Sequence, residues 1–116
     1  MNQEVRQGEI WWIDPTPKMG REQRGRRPAL VIQNDIANTY LDTTIIAIIS
    51  SSGSVNMPEM VPLGKKEGLT TQSHADFAQI FTIDKQRLTK KAGKITTEKW
   101  EMVEKALRRI FLKTLH

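Results

Sequence analysis

Between residues 8 and 83 the apolar residues of this chain come in short runs broken by glycine, proline or polar turns. From Thr96 onward they recur at every third or fourth position instead. This change of period constrains the fold more than any other feature, because short runs suit strands and a three-to-four spacing suits one face of a helix. "GEIWWID" (8–14) is rich in strand formers and stops at "PTP". "RPALVIQ" (27–33) is a second run, and "TTIIAIIS" (43–50) is continuous enough to be buried on both faces. "NMPEMVPL" (56–63) alternates weakly and holds two prolines, which predicts an edge strand. "SHADFAQIFTI" (73–83) reads as another strand, and "KQRL" opens a short turn before "KKAGKI". In the last segment Trp100, Val103, Leu107, Ile110 and Phe111 line one face of a helix, with Thr96 or Thr97 as N-cap and Glu98 in the first turn.

About five short strands and one terminal helix predict a mainly β fold, a small, strongly curved antiparallel sheet or barrel capped by the helix. With 116 residues and neither repeat nor linker, the chain is expected to form one domain over 1–116. It has no cysteine, so disulfide frameworks and thiolate metal sites are excluded. No stretch approaches the roughly 18 apolar residues of a membrane span, and "MNQEVRQGEI" lacks the apolar region of a secretory signal. A cytoplasmic protein without membrane association is the expectation.

Charge narrows the function. Eighteen Lys and Arg against thirteen Asp and Glu give +5, and the excess is clustered. Lys18, Arg21, Arg24, Arg26 and Arg27 face only Glu22 between residues 18 and 27, and residues 85–113 carry ten basic residues against Glu98, Glu101 and Glu104. Clustering of this kind fits a nucleic-acid partner, although charge alone fits a solvated basic surface equally well. The two histidines, His74 and His116, belong to no group with ligand-like spacing, so neither metal nor cofactor is expected. No nucleophile elbow, P-loop or dinucleotide fingerprint occurs. Arg27 is the residue singled out for chemistry. Pro28 biases it toward an extended conformation at the start of a strand, and its planar fork matches phosphate oxygens. Its neighbours on the looser loop are assigned to binding.

"QGEIWWIDPTPKMGREQRGRRPALVIQNDIAN" resembles the opening of the MazF/PemK (Kid) toxins, the sequence-specific endoribonucleases called mRNA interferases. The family pattern is met at Gly8-Glu9-Ile10-Trp11, Pro17, Gly20, Glu22-Gln23, Gly25, Arg27-Pro28 and Asn34-Asp35, and the likeness continues to the terminal helix. The resemblance implies an SH3-like antiparallel barrel with a C-terminal helix, a homodimer, metal-free cleavage of single-stranded RNA, and a cognate MazE-like antitoxin lying across the RNA groove. It places Arg27, Ser50 and Glu22 among the catalytic residues and Gln23 and Gln79 among those that bind RNA; the charge of Arg21, Arg24 and Arg26, and the strand position of His74, add these four to the binding set. Where many members read [ED]-Q-[IVP]-R-T-[IL]-D, this chain reads Ala78-Gln79-Ile80-Phe81-Thr82-Ile83-Asp84, so the family's acid and arginine are missing. With a period of two, His74, Asp76 and Ala78 share a strand face, and Asp76 ahead of His74 is the substitute for the lost acid.

The expected reaction needs few groups. The 2′-hydroxyl of RNA attacks the adjacent phosphorus and expels the 5′-oxygen. Arg27 and Ser50 stabilise the phosphorane charge, and Glu22 or Asp76 moves the proton. Trp11, Trp12 and Trp100 are read as packing. Two alternatives stay open: a toxin of the same barrel type resembling the gyrase poison CcdB, and a degenerate relative that binds RNA without cutting it.

Overall fold

The computed structural model describes residues 4–14, 26–51, 57 and 59–112. Six strands, β1 (Glu9–Ile13), β2 (Arg27–Val31), β3 (Thr43–Ser50), β4 (Met60–Leu63), β5 (Ser73–Asp84) and β6 (Leu88–Lys94), form one sheet in the order β4-β5-β3-β2-β1-β6. Every neighbouring pair is antiparallel. Two helices accompany them, α1 (Asp35–Tyr40) and α2 (Thr97–Phe111). The mainly β architecture with a terminal helix is the one expected.

Two details depart from the sequence reading. There are six strands, because "KKAGKI" is the end of β6 rather than a stretch after a turn. Its polarity hid it: Thr89, Lys90 and Lys91 are exposed, and the pairing of Lys90 with Trp12 and Lys91 with Trp11 supplies the strand order. "KQRL" does hold a turn, at Lys85–Arg87, capped by the Asp84 carboxylate accepting from the Gln86 N–H at 2.9 Å. Helix α1 was not foreseen either. Six residues are too few to show a period, and the signal lies in Asn34, whose side-chain oxygen accepts from the Ala37 N–H at 2.9 Å.

The apolar run of β3 divides between two cores. Ala47 and Ile49 join Ile10, Leu30, Val61, Leu63 and Phe77 on one face of the sheet. Ile46 and Ile48 join Trp11, Ile13, Ala29, Val31, Ile83 and Leu88 on the other. Helix α2 covers the first core with Val103 and Ala106, and Trp100 and Leu107 pack beside them. Thr96 caps it, accepting from the Lys99 N–H at 3.2 Å. The apolar stripe runs past the sheet, however, and leaves Ile110 39 % and Phe111 65 % exposed.

Curvature brings the two edges of the sheet together. The 3-10 turn Lys65–Glu67 after β4 meets β6 at a glycine pair. Gly68 has φ +96°, and a Cβ on Gly93 would lie 2.1 Å from the Glu67 carbonyl oxygen. Only glycine permits that approach. The N-terminal edge is held by Glu9, which is buried in β1. One of its carboxylate oxygens accepts from the Arg6 N–H at 2.9 Å and the Trp11 indole N–H at 3.0 Å, and the other pairs with Lys91 Nζ at 2.7 Å. Burial alone would push this carboxyl up, but the Lys91 ammonium and the two N–H donors outweigh it and hold the group below its ordinary 4.5.

Candidate active site

Strand register assembles the site. Arg27, the first residue of β2, pairs with Ile13 of β1. Ala29 pairs with Ile48, and carrying that antiparallel register two residues outward sets Arg27 opposite Ser50, the last residue of β3. Ser50 in turn pairs with His74 of β5. Arg27, Ser50 and His74 therefore stand in one row across three adjacent strands, and opposed residues of an antiparallel sheet point to the same face. Arg27 and Ser50 are half-buried, and His74 is 5 % exposed.

Asp76 lies in the next row, opposite Ile48. The expected alternation stops there. Ala47 pairs with Ile80 while Ile48 pairs with Asp76, so residues 77–79 bulge from the ladder and Ala78, which is exposed, does not continue the face of His74 and Asp76. The Asp76 carboxylate clamps this bulge. One oxygen accepts from the Ala78 N–H at 2.9 Å and the other from the Gln79 amide at 2.8 Å. Gln79 is thus tied to the site through Asp76.

A cleft of about 330 Å³ opens at this end of the sheet, lined among others by Trp12, Arg26, Arg27, Ser51, Thr70 and Thr71; its residues Trp12, Ile49 and Ser51 alternate with Trp11, Ile48 and Ser50, so it lies on the other face from Ser50 and His74, with Arg27 at its border. Arg26 is held at its rim: it donates to the Thr89 hydroxyl at 2.6 Å and lies 4.0 Å from Asp14, while Thr89 donates to the Trp12 carbonyl at 3.1 Å. Trp12 is half-buried and lines the cleft, Trp11 is buried, and Trp100 packs against the core. Trp12 follows a buried residue on a strand, and period two turns it toward the cleft. Ser51, Thr70 and Thr71 carry no comparable signal in the sequence. Arg21, Glu22, Gln23 and Arg24 lie outside the described residues. Among the described residues no group of three or more His, Cys, Asp or Glu comes together.

An arginine and a serine, both half-buried at neighbouring strand ends, with a histidine opposite the serine, suit an anionic phosphorus centre and the movement of a proton near it. Comparison with known proteins agrees. The family model for the PemK-like, MazF-like toxins of type II toxin–antitoxin systems matches residues 6–111. The chain is 40 % identical over 105 residues to Endoribonuclease EndoA of Bacillus subtilis, covering 89 % of this chain and 90 % of that one. Its fold matches a mycobacterial endoribonuclease in complex with its cognate antitoxin, with a TM-score of 0.80 at 19 % identity over 96 % of this chain and 99 % of the other. It also matches the MazE–MazF complex of Deinococcus radiodurans, with a TM-score of 0.75 at 22 % identity over 97 % and 100 %. The chain belongs to the PemK-like, MazF-like toxin family.

Proposed function

We propose that this toxin is an endoribonuclease that cuts single-stranded RNA, messenger RNA included, without a metal ion, using the RNA's own 2′-hydroxyl as nucleophile. The observation that carries the reading is that strand register brings Arg27 and Ser50 together at neighbouring strand ends, with Arg27 also bordering the polar cleft. The Arg27 fork holds two oxygens of the phosphorus centre as the bond to the 2′-oxygen forms and the bond to the 5′-oxygen breaks, so its two directed N–H donors meet the charge as it grows. Ser50 supplies a hydroxyl on the same face. Arg26 at the rim, with Arg21, Gln23 and Arg24 shortly before it in the sequence, binds the strand, and Glu22 is a candidate to move the proton. Gln79, held by Asp76, contacts the RNA on the β5 side.

A homodimer in the cytoplasm, neutralised by a MazE-like antitoxin that competes for the basic groove, completes the proposal. The solved complexes of similar toxins with an antitoxin support that pairing. No helix among the described residues is long and apolar enough to cross a membrane.

The test is to cut a long RNA with purified toxin in excess EDTA and identify the ends. A 2′,3′-cyclic phosphate and a 5′-hydroxyl are expected, with 2′-deoxy substitution at the cut abolishing the product. A 5′-phosphate end, or activity regained only with magnesium, refutes the mechanism. Binding without cutting identifies a degenerate relative.

A further inference from the structure

We propose that His74 is the proton acceptor of this site, acting through Ser50 on the 2′-hydroxyl; the inference rests on the endoribonuclease reading above. Three placements lead to it. First, Ser50 stands between Arg27 and His74 in one cross-strand row, and directly opposed side chains on one face have Cβ atoms about 4.5–5.5 Å apart. Second, the imidazole is almost enclosed while Ser50 is half-buried, so the hydroxyl is the route from a substrate to the ring. Third, the nearby carboxylate stands one row away, opposite Ile48 rather than Ser50, and is turned to the β5 bulge. Both oxygens of Asp76 accept hydrogen bonds that hold the 77–79 bulge, and position 78 is an alanine. A neutral imidazole keeps one acceptor nitrogen, and histidine is the side chain whose ordinary charge change falls near neutral pH.

Among the described residues, the charged groups on its side of the sheet include Asp76, two residues along β5, Arg27, two strands away, and the Glu9–Lys91 pair farther off on β1 and β6. The β3 and β4 positions facing this part of β5, Ile48, Ser50, Met60 and Pro62, are uncharged.

The step balances without a further reactant. As the 2′-oxygen bonds to phosphorus, its proton passes to Ser50 Oγ and the hydroxyl's own proton passes to the imidazole. The P–O5′ bond breaks with its electron pair leaving on the 5′-oxygen. That oxygen takes a proton from water, and the imidazolium returns one to the hydroxide so formed. His74 touches no reacting atom; it positions and discharges Ser50.

The experiment measures kcat at saturating RNA from about pH 5 to pH 8, the range in which a histidine ordinarily titrates. Wild-type protein is expected to yield 2′,3′-cyclic ends with kcat rising with pH. If those ends are absent, the RNA-cleavage reading fails rather than this inference. His74→Gln should lower kcat at least tenfold, hold KM within about twofold and flatten the profile, since a general base is typically worth about 10²–10⁴-fold. Ser50→Ala should flatten it too, and the double variant should be no slower than the worse single one, because a relay acts as a unit. A His74→Gln enzyme that keeps the wild-type rise, or losses that multiply in the double variant, overturn the proposal. Should His74→Gln fail to fold by circular dichroism, Ser50→Ala decides alone: a flat profile supports the relay and a wild-type profile overturns it.

Discussion

Arg27 owes its place to the residues on either side of it. Pro28 disfavours a helical conformation at Arg27 and so aims the chain into β2, while pairing with Ile13 fixes how far the guanidinium extends from the sheet. A side chain held at a strand end is better placed to meet a developing oxyanion than one on a loop, since little reorganisation remains to be done at the moment of reaction. Arg27→Ala should therefore cost about 2.7–4 kcal/mol of transition-state stabilisation, roughly a hundred- to a thousandfold in rate. Arg27→Lys keeps the charge and loses the second directed hydrogen bond, so it should recover only part of that. Single-turnover kinetics at saturating RNA, beside a melting curve showing an unchanged fold, would check both. On β5, Asp76 holds the bulge, accepting from the Ala78 N–H and the Gln79 amide, one on each oxygen.

The pairing of β1 with β6 depends on one buried carboxylate, and that makes its stability respond to acid. The folded-state pKa of Glu9 lies below 4.5, so its contribution is fully present above the unfolded value and is lost as pH falls through the lowered one. Lys91→Met removes the ammonium that offsets the burial of Glu9. The difference in urea midpoint between pH 7 and pH 3 should then be smaller than in the parent; an equal or larger difference would contradict this account. The same element shows where sequence is a poor guide. β1, β2, β3, β5 and α2 are legible because each buries an apolar face whose period appears in the letters. β6 is not, because its outward residues are Thr89, Lys90 and Lys91 and its partner is far away in the chain. Arg27 could be picked out from its proline, and Ser50 from the family pattern. That His74 joins them is a matter of register between β3 and β5, and the bulge that separates Asp76 from Ala78 has no local signature.

At the scale of the whole molecule, the sheet closes at a point rather than along a ladder. Gly93 meets the Glu67 carbonyl where any side chain would collide, so Gly93→Ala must push β6 away from the turn after β4. A loss of about 1–3 kcal/mol is expected, the usual cost of forcing extra atoms into a packed contact, read as a fall in chemical-denaturation midpoint. The glycine contact leaves β4 and β6 as the two strand edges of the sheet, each able in principle to template a strand from another molecule. Both are guarded. β4 has only four residues and holds Pro62, which offers no N–H, while β6 carries exposed lysines at positions 90, 91 and 94. The charge that hides β6 as a strand in the sequence thus also discourages edge-to-edge aggregation, a safeguard of most value whenever the toxin stands without its antitoxin.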